Sequence, residues 1–421
     1  MSQIVRISAL LLSSALLMVA GGMHGLILPV RGSEEGFSLL ALGLIGTGWS
    51  VGFISGSIAV PFLVRRVGHI RSYAVMASIA CMTILFNLIF INDLAWIGLR
   101  IFSGFCFAGA AMVVESWLNE VSDNENRGTT FSIYVSVTLF ASTAGQMTIA
   151  ATGVAGFLPF VLAAIAYIGA VLPTAVTRTP QPAPLKSASF DIGLIYRTSP
   201  IAVIAAFSVG MANGAFGTLA PVYGIERGFS TATVAYLMSL AIVAGAIAQV
   251  PLGRLSDRID RRKVMMGVAM IGALAGLLLI VFNPDENAVL YILFALYGLA
   301  AYSLYAIAVA HANDFAEQGN FGKIASGMLL VLGSGMVLGP IAASLTMQFF
   351  GPVALFLVTV VFHTALAATA WLRMQVRSAT PAEDRAPFRP LPTERTVTSE
   401  TIGLDPRSDD ESFELPESNE P

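Results

Sequence analysis

The sequence predicts an all-α polytopic membrane protein of twelve transmembrane helices, arranged as two pseudo-symmetric six-helix bundles. Three observations carry this. Charged residues are 12% of the 421-residue chain and hydrophobic residues 56%, a charge share about half that of ordinary globular proteins. The apolar residues fall in runs of about 20 or more, each long enough to cross a hydrocarbon core of about 30 Å. And the chain reads as one half written twice. Pro29-Val30-Arg31-Gly32-Ser33-Glu34-Glu35-Gly36-Phe37-Ser38 returns 192 residues later as Pro221-Val222-Tyr223-Gly224-Ile225-Glu226-Arg227-Gly228-Phe229-Ser230, with seven of ten positions identical.

The apolar runs place spans at 7–29, 39–63, 73–91, 95–118, 129–151, 155–176, 198–221, 231–252, 264–282, 288–311, 325–346 and 352–372. All are helices, because a backbone in lipid must satisfy its own N–H and C=O groups. The first could be taken for a signal peptide, with Arg6 as its basic start. Its cleavage would delete the counterpart of the seventh span, so it is kept.

Lysine and arginine set the orientation. With the N-terminus in the cytoplasm, cytoplasmic segments before the tail hold 14 of the 23, and outer loops hold two, Arg31 and Arg227. This asymmetry predicts both termini cytoplasmic, in a plasma (inner) membrane. The domains follow: 1–176 and 198–372 as the two bundles, 177–197 as a cytoplasmic linker, and 373–421 as a tail. The tail holds 11 of the 26 acids, and seven of the 20 prolines lie after Ser378, a composition expected to stay disordered. Cys81 and Cys106 both sit in apolar spans and read as packing thiols.

The motifs begin with Gly253-Arg254-Leu255-Ser256-Asp257-Arg258-Ile259-Asp260-Arg261-Arg262-Lys263, between spans 8 and 9. A tight turn carrying several cations at the cytoplasmic face is, at the least, a positive-inside anchor. It resembles the loop signature of the major facilitator superfamily, G-x-L-x-D-R-x-G-R-R/K. Gly253, Leu255, Asp257, Arg258, Arg261 and Arg262 match, and Asp260 replaces the second glycine. The copy between spans 2 and 3 keeps Leu63, Arg66 and Gly68 but has Arg65 where the family usually has aspartate. Glu115-Ser116-Trp117-Leu118-Asn119 and His311-Ala312-Asn313-Asp314 further resemble the YcaD-like branch. The resemblance implies the superfamily fold over residues 1 to about 375.

It also implies an inner-gate latch. Asp257 would meet the positive N-terminal end of span 5 near Gly128 and Thr129, and the arginines would meet acids at neighbouring helix ends. Candidate acids are Glu115, Glu120 and Asp123 after span 4, and Asp314 and Glu317 after span 10. Arg65 cannot serve the same way at the start of span 11, so the latch is expected on one side.

Polar residues at membrane depth are the candidates for a solute or proton path. Arg100-Ile101-Phe102-Ser103-Gly104 resembles the family's R-x-x-x-G signature in span 4. A guanidinium inside a bilayer costs at least about 2.5 kcal/mol. Arg100 therefore either faces a cavity or partner, or snorkels to the interface. His24 in span 1 is either a proton site or a neutral helix contact. Tyr297, Tyr302 and Tyr305 share a broad face of span 10, as packing, an interface belt or solute stacking. Gln146 and Asn213 are cavity lining or helix glue. Gly48, Gly52 and Gly56 form a smooth ridge for a close helix neighbour. Gly335-x-x-x-Gly339-Pro340 resembles an antiporter signature that belongs in span 5, so antiport is not assigned.

No nucleotide loop, metal-ligand cluster or catalytic triad is evident, so no metal, no cofactor and no enzymatic activity are expected. The reading is a secondary active transporter of a small solute by alternating access, coupled to an ion gradient with protons as the candidate ion. Its partners are the solute and the lipid bilayer, with no nucleic acid, and it is expected as a monomer. The alternative is a membrane sensor or receptor on the same scaffold, signalling through its tail.

Overall fold

The computed structural model describes residues 3–122, 127–176, 192–316 and 321–381, with 385, 387–392, 396–398, 400 and 401 of the tail. Among the described residues, 12 helical stretches are long and apolar enough to cross a membrane. In chain order the helices are α1 (Gln3–Glu34), α2 (Leu39–Val67), α3 (His69–Ile89), α4 (Asp93–Glu120), α5 (Arg127–Thr152), α6 (Leu158–Gly169) and α7 (Val171–Ala175). A short α8 (Ile192–Thr198) then leads into α9 (Pro200–Glu226), α10 (Thr231–Arg258), α11 (Arg261–Phe282), α12 (Ala288–Ala301), α13 (Leu304–Asn313), α14 (Phe321–Phe350) and α15 (Leu355–Val376). Together α6 and α7 make the sixth crossing, and α12 and α13 the tenth. Most helices outrun their apolar runs by a turn or so, because backbone hydrogen bonding continues into the polar margin. Residues 177–191 of the expected linker lie outside the described residues, as do Asp123 and Glu317.

The repeated ten residues have a local cause. Gly36 and Gly228 adopt φ of 77° and 80°, which glycine takes without strain. The N–H of Phe37 then reaches back to the Gly32 carbonyl at 2.9 Å, and that of Phe229 to Gly224 at 2.9 Å. These are Schellman stops, six residues closing onto one. One residue further on, the hydroxyls of Ser38 and Ser230 accept from the N–H groups of Ala41 and Thr233 and cap the next helix. The same stop-and-start is therefore written once per half.

The packing pairs repeat as well. Helix α1 packs on α5, and α9 on α14; α2 packs on α4, and α10 on α12; α3 packs on α6, and α11 on α15. Across the middle, α2 meets α14 and α5 meets α10. The glycine ridge of α2 allows the tightest of these approaches. A Cβ on Gly52 would stand 2.0 Å from the Ile101 carbonyl oxygen of α4, so nothing larger fits. Gly335 and Gly339 use their bare faces in the same way, against the α9 backbone.

The first and last spans place the two chain ends on one face, here the terminal face. On the opposite face the two sets of spans are closed against each other. Thr47 Oγ1 donates to the Val337 carbonyl at 2.8 Å, Ser33 Oγ to Glu226 Oε1 at 3.3 Å, and Gly46 packs on Thr218.

Helix α15 runs to Val376, past the boundary expected at 372. Beyond it, the described tail residues do not stand free in solvent. Val397, Thr398 and Thr401 are buried, and Phe388 and Leu391 pack against the apolar core. The composition argument asks whether the tail could bury a core of its own. The surface it uses is supplied by the helices.

Candidate functional site

A cavity of about 90 Å³ lies at the centre of the molecule, between the two sets of spans. Helices α1, α2, α4 and α5 wall it on one side, and α9, α10 and Tyr302 on the other. An apolar cavity of about 150 Å³ holds a benzene-sized molecule, so this one has room for a smaller solute or a few waters.

Its polar groups are few. Arg100 lines it and is only 6% exposed, with its guanidinium 5.9 Å from the Trp49 ring centre. That places Arg100 at the cavity and away from the interfacial position a snorkelling side chain would take. Gln146 lines the cavity and also ties the sides together, accepting from Ser239 Oγ of α10 at 2.9 Å. The glutamine thus both lines the cavity and bonds across it.

His24 is fully buried but is not on the cavity wall. Its Nδ1 lies 3.2 Å from the Tyr167 hydroxyl, with Asn87 of α3 also beside it. It packs into the first bundle, one layer behind Arg100. The three tyrosines separate likewise. Tyr302 lines the cavity, whereas Tyr297 is packed among Phe216, Phe356 and His363, and Tyr305 is buried among helices.

Tyr302 sits where the tenth crossing breaks, between α12 and α13. The carbonyls at such a break need donors inside the protein. Asn213 Nδ2 of α9 donates to the Ala301 carbonyl at 2.7 Å, and Gln249 Nε2 of α10 to the Tyr302 carbonyl at 2.9 Å. Asn213 is therefore a capping group and not a wall of the cavity.

The loop motif is built around Arg261, which is 1% exposed. Its guanidinium forks onto Asp314 at the end of α13, through Nε at 2.7 Å and Nη2 at 3.2 Å. Its Nη1 reaches Ser256 Oγ at 2.8 Å and Asp257 Oδ1 at 2.9 Å. One arginine thereby ties α10, α11 and the tenth crossing at the terminal face. Arg262 does the same for the last span, donating to the Arg373 and Arg377 carbonyls at 3.0 and 2.7 Å. Asp260, where the family pattern has glycine, caps α11 through the Arg262 N–H at 3.0 Å and also pairs with the Arg262 guanidinium. Partial burial pushes the Asp260 carboxyl up, but the Arg262 hydrogen bonds outweigh it and hold the group below the usual carboxylate range.

In the first half Arg66 is exposed, and Arg65, also exposed, lies 4.6 Å over the Phe62 ring. Gly68, at φ 86°, turns α2 into α3. Arg258 is exposed.

Two expected gate partners are differently engaged. Besides Arg261, Asp257 accepts from the Phe388 N–H of the tail at 3.0 and 3.1 Å. Glu115, fully buried, accepts from Tyr134 at 2.7 Å and from two tail hydroxyls, Thr401 at 2.8 Å and Thr398. Its described partners are these three hydroxyls and the Thr401 backbone, and not loop arginines.

Sequence reasoning missed Gln249, Trp49, Tyr134, Tyr167, His363 and the tail threonines. Gln249 had a signal, as a lone amide deep in an apolar span. So had His363, whose Nδ1 lies 2.7 Å from the Thr359 carbonyl. The threonines had none, because only the folded chain brings residue 398 to residue 115.

The family model described as Major Facilitator Superfamily matches residues 10–248 and 226–404. Among curated proteins, the chain is 26% identical over 387 residues to an uncharacterized MFS-type transporter YcaD of Escherichia fergusonii, covering 90% of this chain and 97% of that protein. It is 27% identical to the protein of the same description from Shigella flexneri, with the same coverage. Among solved structures, it superposes on the nucleoside transporter NupG with a TM-score of 0.71 at 14% identity, over 90% of this chain and 100% of that one. It also superposes on a bacterial homolog of the human lysosomal transporter Spinster, inward-facing and unoccupied, with a TM-score of 0.72 at 13% identity, over 90% and 98%. At these identities the structures testify to the fold alone.

Proposed function

Because the chain belongs to the major facilitator superfamily, we propose that it is a secondary active transporter, moving a small solute by rocking two six-span halves about the central cavity. One observation carries this reading. The cavity lies between the two sets of spans and is closed on the opposite face by direct contacts between them. That is the geometry from which alternating access starts. The paired packing of α1–α7 and α9–α15 supports treating residues 1–176 and 198–372 as the two moving bodies. With the terminal face taken as cytoplasmic, the described conformation is the inward-facing one. The relatives reported above are themselves described as transporters, so the sensor alternative gains nothing from them.

The solute binds against Arg100, Trp49, Gln146 and Tyr302, and an ion gradient drives the cycle. Protons are the candidate ion: His24, behind the cavity, is the group that would exchange one, and Arg100, which stays charged, would sense it. The test is uptake by proteoliposomes from a panel of small solutes, with and without an imposed proton gradient. At least one solute should accumulate, and faster with the gradient. Arg100→Ala should cut its flux at low concentration by roughly 10–150-fold, the loss of a charge-assisted contact of about 1.5–3 kcal/mol. Unchanged flux and unchanged pH dependence in both Arg100→Ala and His24→Ala would remove these residues from the path. No gradient-dependent movement of any solute in the panel would count against coupled transport.

A further inference from the structure

We propose that the described tail residues 385, 387–392, 396–398, 400 and 401 form a plug for the inner vestibule, docking in the chain's own transport path and holding the protein inward-facing. The plug rests on the transport reading for its consequence, but not for its geometry.

The segment is held at both ends by groups that face the space between the halves. At its start the Arg385 guanidinium donates to the Ile259 carbonyl at 2.7 Å, just beyond α10. Next, the Phe388 N–H donates to the Asp257 carboxylate, and the Phe388 ring lies on the bare Cα of Gly253. A Cβ on that glycine would come within 2.0 Å of the ring. Leu391 follows in a two-way amide pair with Gln249. Its N–H donates to Oε1 at 3.0 Å, and its carbonyl accepts from Nε2 at 3.1 Å. Thr396 then forms part of the wall of the central cavity, beside Arg100 and Gln146. Finally Thr398 and Thr401 donate to Glu115 of α4. The Thr398 N–H bonds the Thr401 hydroxyl at 2.8 Å, a local turn that aims both side chains at one carboxylate. The described residues are thus bonded to α10 in one half, at the cavity wall, and to α4 in the other half.

Two consequences follow from this placement. A solute leaving the cavity towards the terminal face meets Thr396, then Val397 and Thr398, all buried here. And the terminal ends of the halves must converge to open the other side, which they cannot do around an ordered chain. The site is built for an occupant. Glu115 is fully buried near the terminal end of α4, and of the three described residues that donate to it, two, Thr398 and Thr401, come from the tail. Such a carboxylate is costly unless its oxygens are satisfied. A segment tethered to α15 also binds at high effective concentration, so modest contacts suffice to keep it docked.

The test needs no solute. The reporter is Ser142→Cys, on the cavity wall, in a chain with Cys81→Ser. Cys106, which is buried in α4, stays as an internal gauge of folding. Purified protein in lipid nanodiscs is treated with N-ethylmaleimide, and modification of each cysteine is followed by mass spectrometry. Three chains are compared: full length, ending at Thr380, and full length with Thr398→Val and Thr401→Val. If the segment is docked about nine-tenths of the time, its removal speeds modification of the reporter about tenfold, in proportion to the undocked fraction. The threonine variant should fall between the other two, with Cys106 slow throughout. A rise of less than about threefold on truncation, with Cys106 still protected, overturns the plug. If truncation also frees Cys106, the truncated chain has lost its fold and the threonine variant decides by the same threshold. A plug that passes this test in a protein that moves no solute leaves the plug standing and the transport reading failed. Gradient-driven flux with an unchanged reporter rate does the reverse.

Discussion

Arg261 and Asp314 are 1% and 2% exposed, and their fork is among the most enclosed ion pairs described here. Two charges removed from water repay the cost only through close geometry and extra hydrogen bonds, and Arg261 finds both in Asp314, Ser256 and Asp257. Removing one partner strands the other. Arg261→Met should therefore destabilise the folded protein by about 3–5 kcal/mol, whereas Arg261→Met with Asp314→Leu should recover most of the loss. The loss of monodisperse protein on heating in detergent, read by size exclusion, reports both. A double variant no more stable than the single one would mean that the other bonds of Arg261, and not the pair, carry the effect. The motif's second arginine, Arg262, works by another route, clamping the carbonyls at the end of α15.

At the level of elements, the informative feature is the break between α12 and α13. An uninterrupted helix would leave no carbonyl here needing an outside donor. The break opens two, and the amides of Asn213 and Gln249 take one each. Substituting either by leucine should leave a buried carbonyl unpaired and cost about 1–3 kcal/mol. The two variants should differ in a second respect. Gln249→Leu also removes the amide pair with Leu391 and should raise hydrogen exchange in the tail, while Asn213→Leu should leave tail exchange as it was. Equal effects on the tail would show that Gln249 acts there only through the helix. The break also presents Tyr302 to the cavity while Tyr297, five residues earlier in α12, stays packed in the bundle.

For the molecule as a whole, Asp257 is the pivot. In this conformation its carboxylate holds Arg261 and the tail amide of Phe388. In the other end state, with the terminal face closed, we expect the same carboxylate to face the N-terminus of α5 near Gly128 and Thr129. A carboxylate there is favoured by the helix end, by about 0.3–1 kcal/mol when exposed and up to about 2 when partly buried. Arg65 holds the matching place in the first half and lies over Phe62. A cation repels a positive helix end, so we expect the latch on one side only. In a chain ending at Thr380, where the plug no longer competes, Asp257→Asn should depopulate the outward-facing state and Arg65→Gln should do so less. Spin-label distances between Glu120→Cys and Arg258→Cys report the two populations. Equal shifts in both would end the one-sided latch.

Apolar length and the scarcity of charge determined the twelve crossings, because lipid leaves a backbone no other way to satisfy itself. The repeat at an offset of 192 determined where the chain turns, since Gly36 and Ser38, like Gly228 and Ser230, act within a few residues of themselves. The Gly253–Lys263 motif was legible for the same reason, being local and charged. What the sequence left open were choices of direction. A buried polar residue on a helix has several faces it could point to, and nothing nearby in the chain selects one. Packing against distant spans put Arg100 and Gln146 on the cavity, turned His24 towards Tyr167, and gave Asn213 to a broken helix. The tail is the extreme case. Its composition is that of a chain with no core to bury, and that much the sequence determined. That its described residues are held where they are is a property of Glu115, Gln249 and Asp257, three groups on other helices that only the assembled fold brings together.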